Sequence, residues 1–415
     1  MKSDRVLEPA VPADPFVLAQ RAVAAIGSTP DDRRTAVECA RFLVGELCEA
    51  AAVDLFAQDE VRRAHRGPLR PAAAEGRREL LAGLHGVPRT EILVRALDAG
   101  RPITASLAAH SSGTVAALSV PLLARGRVYG AVLAVRADRP FGDEEAAAVH
   151  YVARLTAAHL HDSARYPQRV PLAEAGRPHP TVETATRYLP AGRGAPVGGD
   201  WFEAVRLHHG RTLLVVGDVM GHGLDAAVDM NAYRSMLRYA AATDAAPHRI
   251  LSRTDTVMSE ESNRRPATCL LALLDPARGT VALSGAGHLP PALFHRDGTG
   301  ELVVVPVGPP LGTGLAAYDM TTLSVRPDDT LVMFTDGLVE RRGEDIDTSL
   351  ARLAHLHLSP GGSVTGVLDE ILLRLDAGAA DDDVAVVTAR LRRRPGRVRP
   401  GGPDECGPAP AGPVT

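Results

Sequence analysis

The sequence predicts an α+β protein built of two units. Residues 182–392 hold a series of apolar runs of strand length, at 212–217, 267–275, 280–285, 290–295, 301–306, 320–325, 330–335 and 384–391. Helical patterns at 223–242 and 247–263 separate the first two runs, and another covers 363–376. That order, strands with a helix pair and then hairpin-linked strands, predicts two sheets covered by helices. Residues 15–165 show a different mixture of helix, hairpin and helix, and predict a smaller α/β unit in front.

The elements follow from local pattern. Residues 15–27 and 32–50 carry apolar residues at helical spacing, with Val37, Ala40, Phe42, Leu43, Leu47 and Cys48 on one broad face. Residues 51–57 read as a strand, whereas residues 58–90 are rich in Arg and Gly and show no clear period. The runs 117–123 and 128–135 flank Ala124-Arg-Gly-Arg127 and predict a hairpin. Asp143 is placed to cap a helix that runs to about residue 166, with Glu144 and Glu145 suited to its positive first turn. Residues 1–14 are Pro-rich and loose, 166–181 read as a Pro-broken linker, and 393–415 read as a disordered tail.

Composition narrows the function classes. The chain has 415 residues, 45% hydrophobic and 23% charged, as expected of a globular protein. A net charge of −4 gives no general attraction to nucleic acid or an anionic membrane. No apolar run reaches the roughly 18 residues that suggest a membrane span, and the N-terminus has no signal-peptide core. The chain reads as cytoplasmic. Its four cysteines, Cys39, Cys48, Cys269 and Cys406, have neither zinc spacing nor a disulfide pattern.

Four acidic motifs carry the chemistry. They are Val197-Gly-Gly-Asp-Trp-Phe-Glu203, Gly217-Asp-Val-Met-Gly-His-Gly223, Phe334-Thr-Asp-Gly-Leu-Val-Glu340 and Asp381-Asp-Asp-Val384. Asp218 and Asp336 each end an apolar run, and Asp381-Asp-Asp383 opens one. Carboxylates at strand ends are held rigidly, and several converging would form an oxygen cage for hard divalent cations. The glycines after Asp218 let the chain turn sharply and free the Val219 carbonyl to act as a ligand. Asp382 is the first candidate of its run and Asp383 the second. Asp200 could bind a second metal directly or through water. His222 and His288 could donate to phosphate or act as general acids, or make structural hydrogen bonds. Trp201 reads as core, and His208-His209 as a turn.

The pieces Val120-Pro-Leu122, Gly126, Gly130-Ala-Val-Leu133 and Phe141 before the closing helix resemble a GAF domain, a small α/β sensor module, over residues 15–165. Gly198-Gly-Asp-Trp-Phe202, the Asp218 and Asp336 motifs, Ala286-Gly-His-Leu-Pro-Pro291 and Asp382-Asp-Val384 resemble the SpoIIE-type branch of the PPM metal-dependent Ser/Thr protein phosphatases, over residues 182–392. Composition and domain order are similar to actinobacterial members. The resemblance implies an αββα sandwich with two Mn²⁺ or Mg²⁺ ions at one edge. It implies that Asp218 bridges them, that the Val219 carbonyl binds one, that Asp336 and Asp382 complete one site, and that Asp200 supports the other. Asp218, Asp336 and Asp382 are thereby the catalytic set, with Asp383 a further metal ligand. Glu203, His222 and His288 are candidates for phosphate contacts or for support behind the ligands.

The same resemblance implies metal-assisted attack of water on a phosphoserine or phosphothreonine, with no phosphoenzyme. The implied substrate is a phosphorylated STAS-domain anti-sigma-factor antagonist in a partner-switching pathway, with a small ligand at the GAF-like domain as regulator. The chain departs from the family pattern at Glu203, where the motif ends in Asp. It departs again before residue 182: members carry a continuous helix ending in a Gln-x-Ser-Leu-Leu-Pro-like segment, whereas residues 167–181 are Pro-broken here and Tyr188-Leu-Pro190 follows. A catalytically weak STAS-binding protein, or a small-ligand sensor, is the competing reading. A homodimer through the helices near 15–50 and 143–165 is a further expectation.

Overall fold

A computed structural model of the chain describes residues 18, 21–22, 25–27, 31–57, 68–82, 84, 87–109, 113–137, 139–165, 174–175, 178–190, 199–221, 223–243, 246–260 and 264–392. Residues 1–14, 393–415 and part of 166–181 lie outside these, and with them the expectations of a loose N-terminus, a disordered tail and most of the linker.

The first unit comprises α1 (Asp32–Glu46), β1 (Ala50–Leu55), β2 (Arg70–Gly76), α2 (Arg78–Ala82), α3 (Val87–Ala99), β3 (Ile103–Ala109), β4 (Gly113–Ala124), β5 (Arg127–Arg136) and α4 (Asp143–Arg165). Its sheet has the order β2-β1-β5-β4-β3, with every pair antiparallel. The predicted β4–β5 hairpin turns at Arg125-Gly126, both with positive φ (50° and 69°), as a two-residue turn of type I′ requires. Sequence periodicity missed β2, β3, α2 and α3. The stretch Arg70–Gly76 holds three alanines but no large apolar residue, and none of it is buried, so it has no strong apolar run to reveal it. The apolar faces of α1 and α4 pack on each other and on the sheet, so the surfaces expected to serve a homodimer are used inside the chain.

The second unit comprises β6 (Glu174–Ala175), β7 (Val182–Leu189), β8 (Trp201–Arg206), β9 (Thr212–Val219), α5 (Leu224–Thr243), α6 (Pro247–Ser259), β10 (Ala267–Asp275), β11 (Thr280–Ala286), β12 (Ala292–Phe294), β13 (Gly300–Leu302), β14 (Val307–Gly308), β15 (Thr321–Ser324), β16 (Thr330–Phe334), α7 (Ile346–Ala354), α8 (Val364–Arg374) and β17 (Val384–Leu391). One sheet runs β14-β11-β10-β9-β8-β6, with β15 also on β11, and the other runs β13-β12-β16-β17-β7. Between them lies an apolar core that includes Leu214, Val216, Leu270, Leu283, Leu331, Met333, Val387 and Ala389. The outer face of the second sheet packs on α7 and α8 through Val332, Phe334, Leu353, Leu368 and Ile371. The outer face of the first packs on α5 and α6. The layers are therefore helix, sheet, sheet, helix, as expected. The central strands β9, β16 and β17 are buried almost throughout, because each sheet is covered on both faces by a different layer.

The two units meet where α4 packs on α5. Arg154 of α4 reaches Asp225 of α5 at 2.7 Å. Asp229 is buried and paired with Arg125 from the β4–β5 turn, and with Arg265 at 3.5 Å. Among the described residues, no helix is long and apolar enough to cross a membrane.

Candidate metal centre

Register alone brings the acidic motifs to one end of the sandwich. β8 and β9 are antiparallel with Trp201 opposite Gly217, so Asp200 at the start of β8 lies beside Asp218 near the end of β9. β16 and β17 are antiparallel with Phe334 opposite Val386, so Asp336 just after β16 lies beside Asp382 and Asp383 just before β17. A Cβ added at Gly337 would stand 2.1 Å from the Asp383 carbonyl oxygen, which shows how tightly these two turns pack. The two halves belong to different sheets, and His288 ties them together. Its Nε2 lies 3.0 Å from the Phe334 carbonyl and its Nδ1 2.8 Å from the Thr268 hydroxyl. A carbonyl only accepts, so Nε2 carries the proton and Nδ1 accepts from Thr268. Thr268 in turn pairs with Asp218.

Electrostatics confirm that the carboxylates share one space. Burial, followed by the Asp218 charge, holds the Asp200 carboxyl well above the usual range. Burial pushes Asp218 up to about 6; a hydrogen bond with Asp200 opposes this, while the charges of Asp336, Asp382 and Asp383 add to it. Burial and then Asp382 and Glu340 raise Asp336. Desolvation and crowding of like charges are what a cation would relieve. No Arg or Lys figures among the strongest influences on these three.

The arc is open rather than a closed cage. Among the described residues, no three His, Cys, Asp or Glu side chains converge tightly enough to enclose an ion. Its chemistry nevertheless fits one. Asp200 Oδ2 is buried without a hydrogen-bond partner. The Val219 N–H donates to the Gly199 carbonyl at 3.2 Å, and a Cβ at Gly199 would stand 2.2 Å from the Val219 oxygen and 2.9 Å from Asp218 Oδ1. Glycine at 199 thus keeps open a cradle of carbonyl and carboxylate oxygens, the donor set of Mg²⁺ and Mn²⁺.

One candidate is placed elsewhere, one stands behind the arc as a support, and one lies outside the described residues. Glu203 points away from the arc, on the face of β8 that packs on α5. There it is buried and paired with Arg238 and, at 3.5 Å, with Arg234. Strand alternation is the reason: Trp201, Glu203 and Val205 share one buried face. His288 is a structural clip with both ring nitrogens engaged, and burial pushes it down to about 4, so it is not poised as a general acid. His222 lies outside the described residues. Trp201 is core, stacked on Tyr233 at 6.5 Å, and its ring leaves no room for a side chain at Gly217. Asp381 is exposed and pairs with Arg342 at 2.9 Å. Cys269 is buried beside Thr268, and burial raises its thiol, which makes it a poor nucleophile.

Tyr188 was missed from sequence. Its hydroxyl is buried and faces Asp383, Asp200 and Asp218, and burial followed by those charges raises its pKa. The available signal was its place at the end of a strand entering the same edge, in Tyr188-Leu-Pro190.

Comparison with known proteins agrees with the fold. Residues 208–392 match the family described as Stage II sporulation protein E (SpoIIE), and residues 17–160 match the GAF domain. The chain is 24% identical over 150 residues to phosphoserine phosphatase RsbP of Bacillus subtilis, covering 35% of this chain and 37% of that protein. It is 23% identical over 216 residues to stage II sporulation protein E of Priestia megaterium, covering 51% of this chain and 36% of that protein. The chain thus spans little more than a third of the length of these curated relatives. A crystal structure of the RsbU and RsbW domains of Rv1364c from Mycobacterium tuberculosis is similar at 28% identity and a TM-score of 0.45, covering 51% of this chain and 61% of that one. Along the chain, a segment that matches the GAF domain thus precedes one that matches the SpoIIE family.

Proposed function

We propose that the chain is a metal-dependent protein phosphatase that hydrolyses phosphoserine or phosphothreonine. The observation that carries this reading is the arc itself. Four separate segments from two sheets deliver Asp200, Asp218, Asp336 and Asp382–Asp383 to one edge, where burial and neighbouring carboxylates raise the pKa values of Asp200, Asp218 and Asp336. A protein keeps such an arrangement when it has charge to bind. In this reading Asp218 would help hold both of two Mn²⁺ or Mg²⁺ ions, and the Val219 carbonyl would help hold one of them. Asp336 and Asp382 complete one site, Asp383 stands next to them, and Asp200 serves the other.

Two such cations, when bound, would supply an activated water and charge neutralisation for phosphoryl transfer. The residues of the chain do the positioning. Asp218 is fixed by the β9–β10 ladder, and the Val219 carbonyl by the backbone hydrogen bond to Gly199. The Thr335 N–H donates to the Ala385 carbonyl at 3.0 Å, which holds the Asp336 turn against β17. The buried thiol of Cys269 supports a route without a protein nucleophile.

The substrate in this reading is a phosphorylated STAS-domain anti-sigma-factor antagonist, and the GAF domain, taking a small ligand, regulates its hydrolysis. The family match and the presence of a phosphoserine phosphatase, RsbP, among the relatives support it. So does the contact of α4 with α5, the helix that follows the Asp218 loop. The test is phosphate release from a phosphoserine STAS-domain protein by the full chain with Mn²⁺. Release by the wild type and none by Asp218→Ala supports the reading. Stoichiometric binding of the STAS protein without release would favour the binding-protein alternative.

A further inference from the structure

Tyr188 occupies a place in the acidic arc that its sequence context does not announce. β7 pairs with β17 so that Leu189 stands opposite Val384 and Tyr188 opposite Ala385. Leu189 and Val384 both pack toward α7 and α8. Side chains alternate along a strand, and directly opposed residues of an antiparallel pair share a face. Tyr188 and Ala385 therefore face the other way, into the space between the sheets. Asp383, two residues before Ala385, shares that side. Val182, six residues before Tyr188, confirms the phase by packing in the inter-sheet core with Leu391.

The ring thus ends where the two sheets present their carboxylates. The hydroxyl is buried, and Asp383 is the charged neighbour with the largest influence on it, followed by Asp200 and Asp218. Asp383 is itself buried, and its N–H donates to Asp382 Oδ1 at 2.7 Å. A neutral hydroxyl is the kind of donor this place needs: it holds a carboxylate without adding a cation that would compete with a metal.

We propose that Tyr188 is a positioning residue of the metal centre. Its hydroxyl donates to the Asp383 carboxylate and so fixes the Asp382-Asp383 turn that presents carboxylate oxygen to the cations. The proposal rests on the phosphatase reading for its metal, and concerns how this chain holds its ligands rather than which ligands they are.

The test is calorimetric titration of the metal-free full chain with Mn²⁺, which reads binding without turnover. Tyr188→Phe removes one oxygen and keeps the ring, so the melting temperature should stay within a few degrees of wild type. Mn²⁺ affinity should fall about tenfold or more, the usual cost of losing a hydrogen bond behind a metal ligand. Activity should return to near the wild-type rate once Mn²⁺ is saturating, which a damaged core would not allow. A double-mutant cycle with Asp383→Ala keeps the idea falsifiable if Tyr188→Phe lowers stability: with the acceptor carboxylate removed, adding Tyr188→Phe should change Mn²⁺ affinity by less than twofold. Equal affinity for wild type and Tyr188→Phe, or the full loss persisting in the Asp383→Ala background, would overturn the proposal. Absence of Mn²⁺ binding by the wild type would instead overturn the phosphatase reading, and this proposal with it.

Discussion

Thr268 donates its hydroxyl to His288 at 2.8 Å, and Thr268 is the cross-strand partner of Asp218. Through the other nitrogen of His288 the same chain of bonds reaches Phe334, two residues before Asp336. The two halves of the acidic arc are thus joined by one neutral imidazole.

His288→Gln should therefore lower stability, by about 2–4 kcal/mol for a lost buried hydrogen-bonded clip, and lower activity with it. The pH dependence has a definite sign. The His288 pKa falls from 6.5 in the unfolded chain to about 4 in the fold, so the unfolded chain binds the proton more tightly. The stability contributed by neutral His288 is complete above about pH 6.5 and is lost as pH falls toward 4. Its advantage over His288→Gln should shrink by about 3 kcal/mol across that window. Denaturant melts at pH 7, 5.5 and 4 read the gap.

Asp218→Asn should abolish hydrolysis while making the metal-free protein more stable. It removes one charge from a buried group of like charges. A pKa pushed from 3.8 to about 6 corresponds to roughly 1–3 kcal/mol at neutral pH. Thermal melts in excess chelator should show Asp218→Asn melting above wild type, with the order narrowing or reversing when Mn²⁺ is added.

Gly199→Ala should separate folding from function. The new Cβ would stand 2.2 Å from the Val219 oxygen, so that carbonyl must move. Mn²⁺ affinity should fall at least tenfold, with a stability loss of about 1–3 kcal/mol for local overpacking. Titration calorimetry and a melt on the same sample read both.

The contact between the two domains should depend unequally on its ion pairs. Asp229→Ala leaves Arg125 and Arg265 facing each other around a buried site, and should cost about 2–4 kcal/mol. Arg154→Ala removes a pair whose acid, Asp225, is 58% exposed, and should cost no more than about 1 kcal/mol. If the GAF domain regulates the phosphatase through α5, Asp229→Ala should also change the hydrolysis rate, and deletion of residues 1–165 should abolish that difference.

What the sequence showed and hid follows from the range of each interaction. Asp218, Asp336 and Asp382 were legible because each sits where an apolar run starts or stops. The antiparallel registers that unite them were implicit in the order of those runs. Strand alternation was also present in the sequence, yet Glu203 was grouped with Asp200. The motif spacing did not reveal that α5 offers Arg234 and Arg238 to the opposite face of β8. Tyr188 was invisible for a related reason, since its role depends on the pairing of β7 with β17, nearly two hundred residues later. β2 and β3 gave too little apolar contrast to be read. The His288 clip requires two sheets to be packed before it exists.

The most direct test is phosphate release from an aryl phosphate by the chelator-treated full chain, titrated with Mn²⁺ and repeated with Asp218→Ala. Hydrolysis that is absent without metal, saturates with Mn²⁺ and disappears in Asp218→Ala is the predicted result. A folded wild-type chain that releases no phosphate with Mn²⁺ or Mg²⁺, or an Asp218→Ala variant as active as wild type, would contradict it.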